Sequence, residues 1–369
     1  MLQQPATRRR AMTGMGNTTV LKGIGTALPA HELAQSDVLD QARALLAPKY
    51  PFFEKLVPAF ENAGVDKRYS VMPLDWFAAD HGWADRGAAY MTGAKAMFIA
   101  AATDALQAAG ISADQVDTIV TVSSTGIATP TLEAQAHAEM GFRRDVRRVP
   151  VFGLGCAGGV SGLSIARRLA AADPGSTVLM VAVEACSLSF RSDRLQKADV
   201  IATVLFGDGA AAAVIGAGSG AAGEVTLHEG HEHLFPDTLP IMGWDVDETG
   251  LGVIFDRSIP GFVTDEFRPA IASMLQEAQL DLSQIDRFVC HPGGTKVVEA
   301  IEAIEATMDL PAGALDAERA TLRDYGNMSA PTALFVLKRV LAAGQTGKLA
   351  LCALGPGFTA AMMPLTVAP

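Results

Sequence analysis

GLGCAGG, residues 153–159, admits two readings, and the fold follows from which one holds. Taken as G-x-G-x-x-G on Gly153, Gly155 and Gly158, it is a backbone cradle for a dinucleotide pyrophosphate and opens a Rossmann unit. Taken around Cys156, the glycines clear space for an acyl group to approach a thiol. RRVPVF before the motif reads as a strand and VSGLSIARRLAAA after it as a helix, a context that suits both. Three observations weigh against the cofactor. The motif begins at position 153, whereas the fingerprint marks the first βα turn of its domain. The acidic residue due about 20 positions later would be Asp173 or Glu184, and the DPGS around Asp173 reads as a turn. The helix also has a partner elsewhere in the chain that opens on GNMS, with no glycine fingerprint.

That partner belongs to an internal repeat. ALQAAGISADQVDTIV from Ala105 and MLQEAQLDLSQIDRFV from Met274 align with a constant offset of 169, so that Leu106 meets Leu275, Gln115 meets Gln284 and Asp117 meets Asp286. Each copy reads as helix, short loop and apolar strand. GCAGGVSGLSIARRLAAA and GNMSAPTALFVLKRVLAA follow at an offset of 171, each leading into a further apolar strand, TVLMVAV and KLALCAL. Near-continuous apolar strands alternating with helices predict an α/β fold with a parallel sheet covered on both faces, built as two pseudo-symmetric βαβαβ-type halves. The offset of 171 sets Cys156 opposite Asn327, each at the start of an equivalent helix, and His291 falls at the end of the second-copy strand in FVCHPGG. Three polar groups thus converge at strand ends, where α/β sheets place their ligands. A cysteine in the first turn of a helix is expected to have its pKa lowered from about 8.5 toward roughly 3.5–7.5 by the free N–H groups and the helix dipole.

The composition excludes several classes. The formal net charge of −11 and the lack of a long basic stripe argue against nucleic acid. No run of apolar residues long enough to span a membrane is free of charge and of Gly or Pro. Residues 1–17 include Arg8, Arg9 and Arg10 without an apolar stretch behind them, which reads as a disordered leader and not a secretory signal. Four widely spaced cysteines, Cys156, Cys186, Cys290 and Cys352, suggest free thiols in a reducing compartment, and a cytoplasmic location is expected.

At Cys156, HPGG and GNMS, and again at LFGDGAAAAVI (205–215) and LGPGF (354–358), the sequence resembles the type III polyketide synthases, the chalcone and stilbene synthase family. The likeness runs from about residue 18 to the C-terminus. It implies a thiolase-like fold in αβαβα layers, with residues 18–216 as the half carrying the cysteine and 217–369 as the half carrying His and Asn. It implies an acyltransferase in which Cys156 carries the acyl chain and His291 and Asn327 donate to the thioester oxygen while malonyl-CoA loses CO₂ and extends the chain. Phe206 matches the gate between CoA tunnel and reaction cavity, and Val253 holds a second gate position that is phenylalanine in the plant enzymes. Ser189 and Trp244 align with cavity walls, Ser329 with a substrate-binding position, and Thr129 with a residue that reaches across a homodimer interface. Lys55 fits one of the basic positions for the CoA phosphates, whereas Pro58 and Asn62 occupy two others, so the starter is expected either on CoA or on a carrier protein. No metal or redox cofactor is implied. An aliphatic starter and an alkylresorcinol- or alkylpyrone-type product are the expectation, with starter length, number of extensions and cyclisation mode left open.

The rivals are a ketoacyl-ACP synthase III, whose H-Q-A-N pattern differs from HPGG here, a dinucleotide-dependent oxidoreductase, and a catalytically silent thiolase-fold binding protein. HEGHEH (228–233) fails the H-E-x-x-H spacing and reads as a strand with one polar face.

Overall fold

The two repeats fold alike, down to their loops. Ser112 N–H donates to Gln115 Oε1 at 2.9 Å in the first copy, and Asp281 N–H donates to Gln284 Oε1 at 2.9 Å in the second. In the computed structural model, residues 18–194, 196–306 and 314–369 are described; the proposed leader, residues 1–17, lies outside them. The strands are β1 (Thr18–Ala27), β2 (His31–Ala34), β3 (Lys67–Ser70), β4 (Thr118–Val122), β5 (Arg147–Val151), β6 (Val178–Ala185), β7 (Asp208–Gly218), β8 (Val225–Leu227), β9 (His231–Leu234), β10 (Met242–Val246), β11 (Leu251–Phe255), β12 (Arg287–Cys290), β13 (Gly347–Gly355) and β14 (Thr359–Val367). The helices are α1 (Gln35–Leu46), α2 (Val57–Glu61), α3 (Trp83–Ala109), α4 (Leu132–Met140), α5 (Gly158–Ala172), α6 (Lys197–Leu205), α7 (Ile259–Phe262), α8 (Arg268–Glu277), α9 (Thr295–Ala306), α10 (Asp316–Tyr325) and α11 (Ala330–Ala342).

Nine strands form one path, β12-β13-β14-β8-β1-β7-β6-β4-β5, and β9, paired with β14, completes a ten-stranded sheet. The order β4-β6-β7 in the first half matches β12-β13-β14 in the second, and the halves meet where Val20 and Leu21 of β1 pair with Thr226 and Val225 of β8. The sheet is mixed, not parallel as expected. β4–β6 and β12–β13 are parallel, but β6–β7 and β13–β14 are antiparallel. An apolar run reports that both faces of a strand are covered and says nothing of its direction; the short turn between β13 and β14 allows only an antiparallel pair.

Alternate residues of each strand enter different cores. Val120, Val122, Met180, Leu351 and Met363 face a central layer built from α5 and α11. Ile119, Leu179 and Val181 face α3 and α4 on one outer side, while Phe288, Cys352 and Met362 face α8 and α9 on the other. Helix, sheet, helix, sheet, helix is the αβαβα order that the resemblance implies. β10 and β11 stand apart from the main sheet as a separate two-stranded ribbon.

Candidate active site

Cys156 lies in a 3-10 turn, Gly155–Ala157, that leads from β5 into α5. Ser124 Oγ accepts from the amides of Gly153 and Gly155 at 3.1 and 3.2 Å and so pins the loop. Gly155, Gly158 and Gly159 allow close packing around Cys156, whereas a β-carbon at Gly153 would meet nothing within 4 Å. A β-carbon at Gly159 would stand 2.2 Å from the carbonyl oxygen of Ala330, so its absence lets α5 and α11 touch at their first turns. Gly155, at φ +47°, lies against Pro356 in the same way.

That contact delivers Asn327 to Cys156. The Sγ donates to Asn327 Oδ1 at 4.0 Å across the predicted offset of 171 residues, and the Ser329 amide donates to the same oxygen at 2.8 Å. Asn327 Nδ2 donates to the carbonyl of Gly293 at 3.1 Å, which ties the carboxamide to the HPGG turn. A β-carbon at Gly293 would be 3.8 Å from His291 Nε2, so imidazole and carboxamide flank one turn. His291 is held by its backbone, whose N–H donates to Cys352 at 2.9 Å. The residue is 5 % exposed, and neither ring nitrogen meets a partner among the described residues.

Burial sets the charge states. The Cys156 thiol is pushed up to about 11 by desolvation, against hydrogen bonds from Ser329 and Asn327 and with the nearby Glu184 adding to the rise. The expected lowering therefore does not hold, because enclosure outweighs the helix terminus. His291 is driven down to about 4 by the same desolvation and rests as neutral imidazole. Glu184, raised to about 7 by burial, accepts from the Ser124 amide and from the hydroxyls of Ser123 and Thr125. It thereby holds the segment whose Ser124 pins the nucleophile loop.

Cys156 opens on a cavity of about 50 Å³ walled by Phe206, Trp244, Val253 and Ser329 among others. A second, apolar cavity of about 60 Å³ shares Cys186 and Phe206 with the first, and Ser189 lines this one and not the cavity at Cys156. Lys55 is at the surface over the Phe52 ring, with Pro58 and Asn62 exposed nearby in sequence, and Thr129 is exposed on the loop before α4. The HEGHEH histidines scatter: His228 bonds Thr366, His231 bonds Glu277 and His233 packs on Phe235. The expected single strand is broken between β8 and β9.

Both halves of one family profile match the sequence. The chalcone and stilbene synthase N-terminal domain covers residues 6–219 and the C-terminal domain residues 226–366. The chain belongs to the chalcone and stilbene synthase family. It is similar to a 1,3,6,8-tetrahydroxynaphthalene synthase of Streptomyces peucetius subsp. caesius, 35% identical over 97% of this chain and 96% of that one. It is also similar to a putative chalcone synthase of Bacillus subtilis, 32% identical over 92% and 96%. The crystal structure of the tetrahydroxynaphthalene synthase of Streptomyces coelicolor A3(2), described as a bacterial type III polyketide synthase, superposes with a TM-score of 0.87. It is 30% identical, and the match covers 95% of this chain and 99% of that one. The chain is thus a type III polyketide synthase, an acyltransferase of the condensing class on a thiolase-like fold. Within this synthase, sequence reasoning missed Cys186, which lines both cavities, and Ser124; Glu184 was considered only as a ribose ligand. Their signal was position alone: Ser124 and Cys186 lie just past the ends of β4 and β6, and Glu184 lies near the end of β6 itself.

Proposed function

We propose that the chain extends an aliphatic acyl starter with malonyl-CoA units through a thioester on Cys156, and closes the product as an alkylresorcinol or alkylpyrone. The observation that carries this reading is a buried thiol against a carboxamide, with a buried imidazole across the same turn whose two nitrogens lack partners among the described residues. An unpaired buried polar group costs stability and is kept where a ligand completes it. Neutral imidazole takes the Sγ proton as sulfur attacks the starter thioester, and the departing CoA thiolate recovers that proton. Loss of CO₂ from the malonyl thioester leaves an enolate whose oxygen accepts from His291 Nε2–H and from the second Asn327 Nδ2–H. The enolate carbon then bonds to the Cys156-bound carbonyl carbon as the C–S bond breaks and the thiolate leaves. No metal or redox group enters this sequence.

The apolar cavity behind Phe206 supports an aliphatic starter, and a solved complex of CsyB with CoA-SH, 26% identical with a TM-score of 0.85, supports CoA as the carrier. Delivery by a carrier protein stays a secondary route, motivated by Pro58 and Asn62. Exposed Thr129, together with β5 at the sheet edge beside exposed Phe152, supports a homodimer, with sedimentation as its check. Likeness to the tetrahydroxynaphthalene synthases favours a second reading, in which malonyl units alone build the product. Incubation with labelled malonyl-CoA, alone and with a panel of acyl-CoAs, separates the two by product mass. Cys156→Ala should end elongation while leaving the melting temperature unchanged; continued elongation by that variant would overturn the assignment.

A further inference from the structure

The ribbon β10–β11 supplies much of the cavity around Cys156, contributing Met242, Gly243, Trp244, Val253, Ile254 and Phe255. It shares no ladder with the ten-stranded sheet, so something else must fix its distance from Cys156. Part of that is Trp244 Nε1–H, which donates to Ser124 O at 2.8 Å from inside the cavity wall. Met242 and Phe255 also pack on the apolar cluster around α8 and α9, and an ionic clasp holds the turn end of the ribbon. Arg191, with its side chain 2% exposed, grips Asp247 through two contacts of 2.9 and 3.1 Å and also pairs with Asp193. Arg194 donates to Asp245 at 2.7 Å and lies 3.7 Å from Asp247 and from Asp199 at the start of α6. Trp83 Nε1–H donates to the Asp247 carbonyl at 2.9 Å. The Arg191 guanidinium holds the Asp247 carboxyl well below the usual carboxylate range. Asp245 and Val253's partner Trp244 are adjacent on β10, and Trp244 pairs directly with Val253 across the ribbon.

We propose that Asp245 and Asp247, clasped by Arg191 and Arg194, are positioning residues that hold Trp244 and Val253 inward, fix the size of the reaction cavity and thereby select starter length. The clasp touches neither the thiol nor the imidazole, so it acts on the wall and not on the chemistry. A bidentate arginine on a carboxylate is directional as well as attractive, which suits it to set a distance. This inference rests on the reading that acyl starters are extended on Cys156.

The test compares Asp247→Asn, Asp245→Asn and the double variant with the unaltered chain. Asparagine at 247 keeps an oxygen for the Thr249 and Gly250 amides that Asp247 Oδ1 now accepts, and removes the charge and the Oδ2 acceptor that face Arg191. The readouts are malonyl-CoA decarboxylation and the ratio of kcat/KM for dodecanoyl-CoA over butyryl-CoA. Decarboxylation stays unchanged, whereas the ratio rises about fivefold in Asp247→Asn and further in the double variant as the wall recedes. A ratio unchanged in the double variant overturns the proposal, whatever happens to its melting temperature; faster amide exchange over residues 242–255 with no change in the ratio overturns it equally. If the double variant does not fold, Asp245→Asn, whose parent side chain is 57% exposed, decides on the same ratio. Failure of the unaltered chain to decarboxylate or elongate would instead strike the reading beneath it.

Discussion

His291 is the residue whose surroundings say most about the chemistry. The proposed role of His291 as the base rests on a neutral imidazole and a thiol that burial pushes up to about 11, since little thiolate forms unaided at neutral pH. His291→Ala should therefore slow alkylation of Cys156 by iodoacetamide about 100-fold at pH 7. A raised thiol pKa means the thiolate fraction grows only as pH climbs, so the two rates should converge above about pH 11. Equal rates at pH 7 would remove the base. The meeting of Cys156 with Asn327 was legible in the sequence from the repeat offset of 171, and the place of His291 from a strand end. Their charge states were not, because desolvation depends on what encloses a group, and pattern alone does not report enclosure. Nor does it distinguish which of two adjoining cavities a side chain faces, as Ser189 shows.

At the level of elements, the contact of α5 with α11 is what joins the stretches that carry Cys156 and Asn327. Gly159→Ala would drive a methyl into the Ala330 backbone, which has no flexible end to yield. It should cost about 3 kcal/mol in urea unfolding and slow elongation together. Gly87, inside α3 with nothing within 4 Å of an added β-carbon, provides the opposite case. There the same change should stabilise by about 0.5–1 kcal/mol, since alanine favours a helix. Two substitutions of one chemistry with opposite signs would show that the first is a matter of proximity. The helices and their partners were readable from periodicity and from the repeat. Strand direction was not, because a strand buried on both faces carries no alternation to orient it.

Across the whole molecule, several carboxyl groups lie far from water. Burial raises Glu184 and Glu318 to about 7 and Asp208 to about 6. A carboxyl whose pKa is higher folded than unfolded binds its proton more tightly in the folded chain. Its contribution to stability is complete below the unfolded value of about 4 and is lost as pH rises through 6 to 7, at up to about 3 kcal/mol per group. The urea midpoint should accordingly be higher at pH 5 than at pH 8; the reverse order would place these groups in contact with solvent. Below pH 4 the ion-paired carboxylates, such as Asp247 and Asp324, act in the other direction. The two-halved plan was visible in the repeat because duplication leaves a constant spacing, and its five layers came only with the family resemblance, whereas the ribbon that finishes the pocket has no counterpart in the repeat. That ribbon hangs from the scaffold instead of being woven into it. Exchange of residues 242–255 for those of a relative would leave every ladder of the ten-stranded sheet untouched. Evolution therefore has a replaceable lining here, through which one catalytic frame acquires new products without refounding its core.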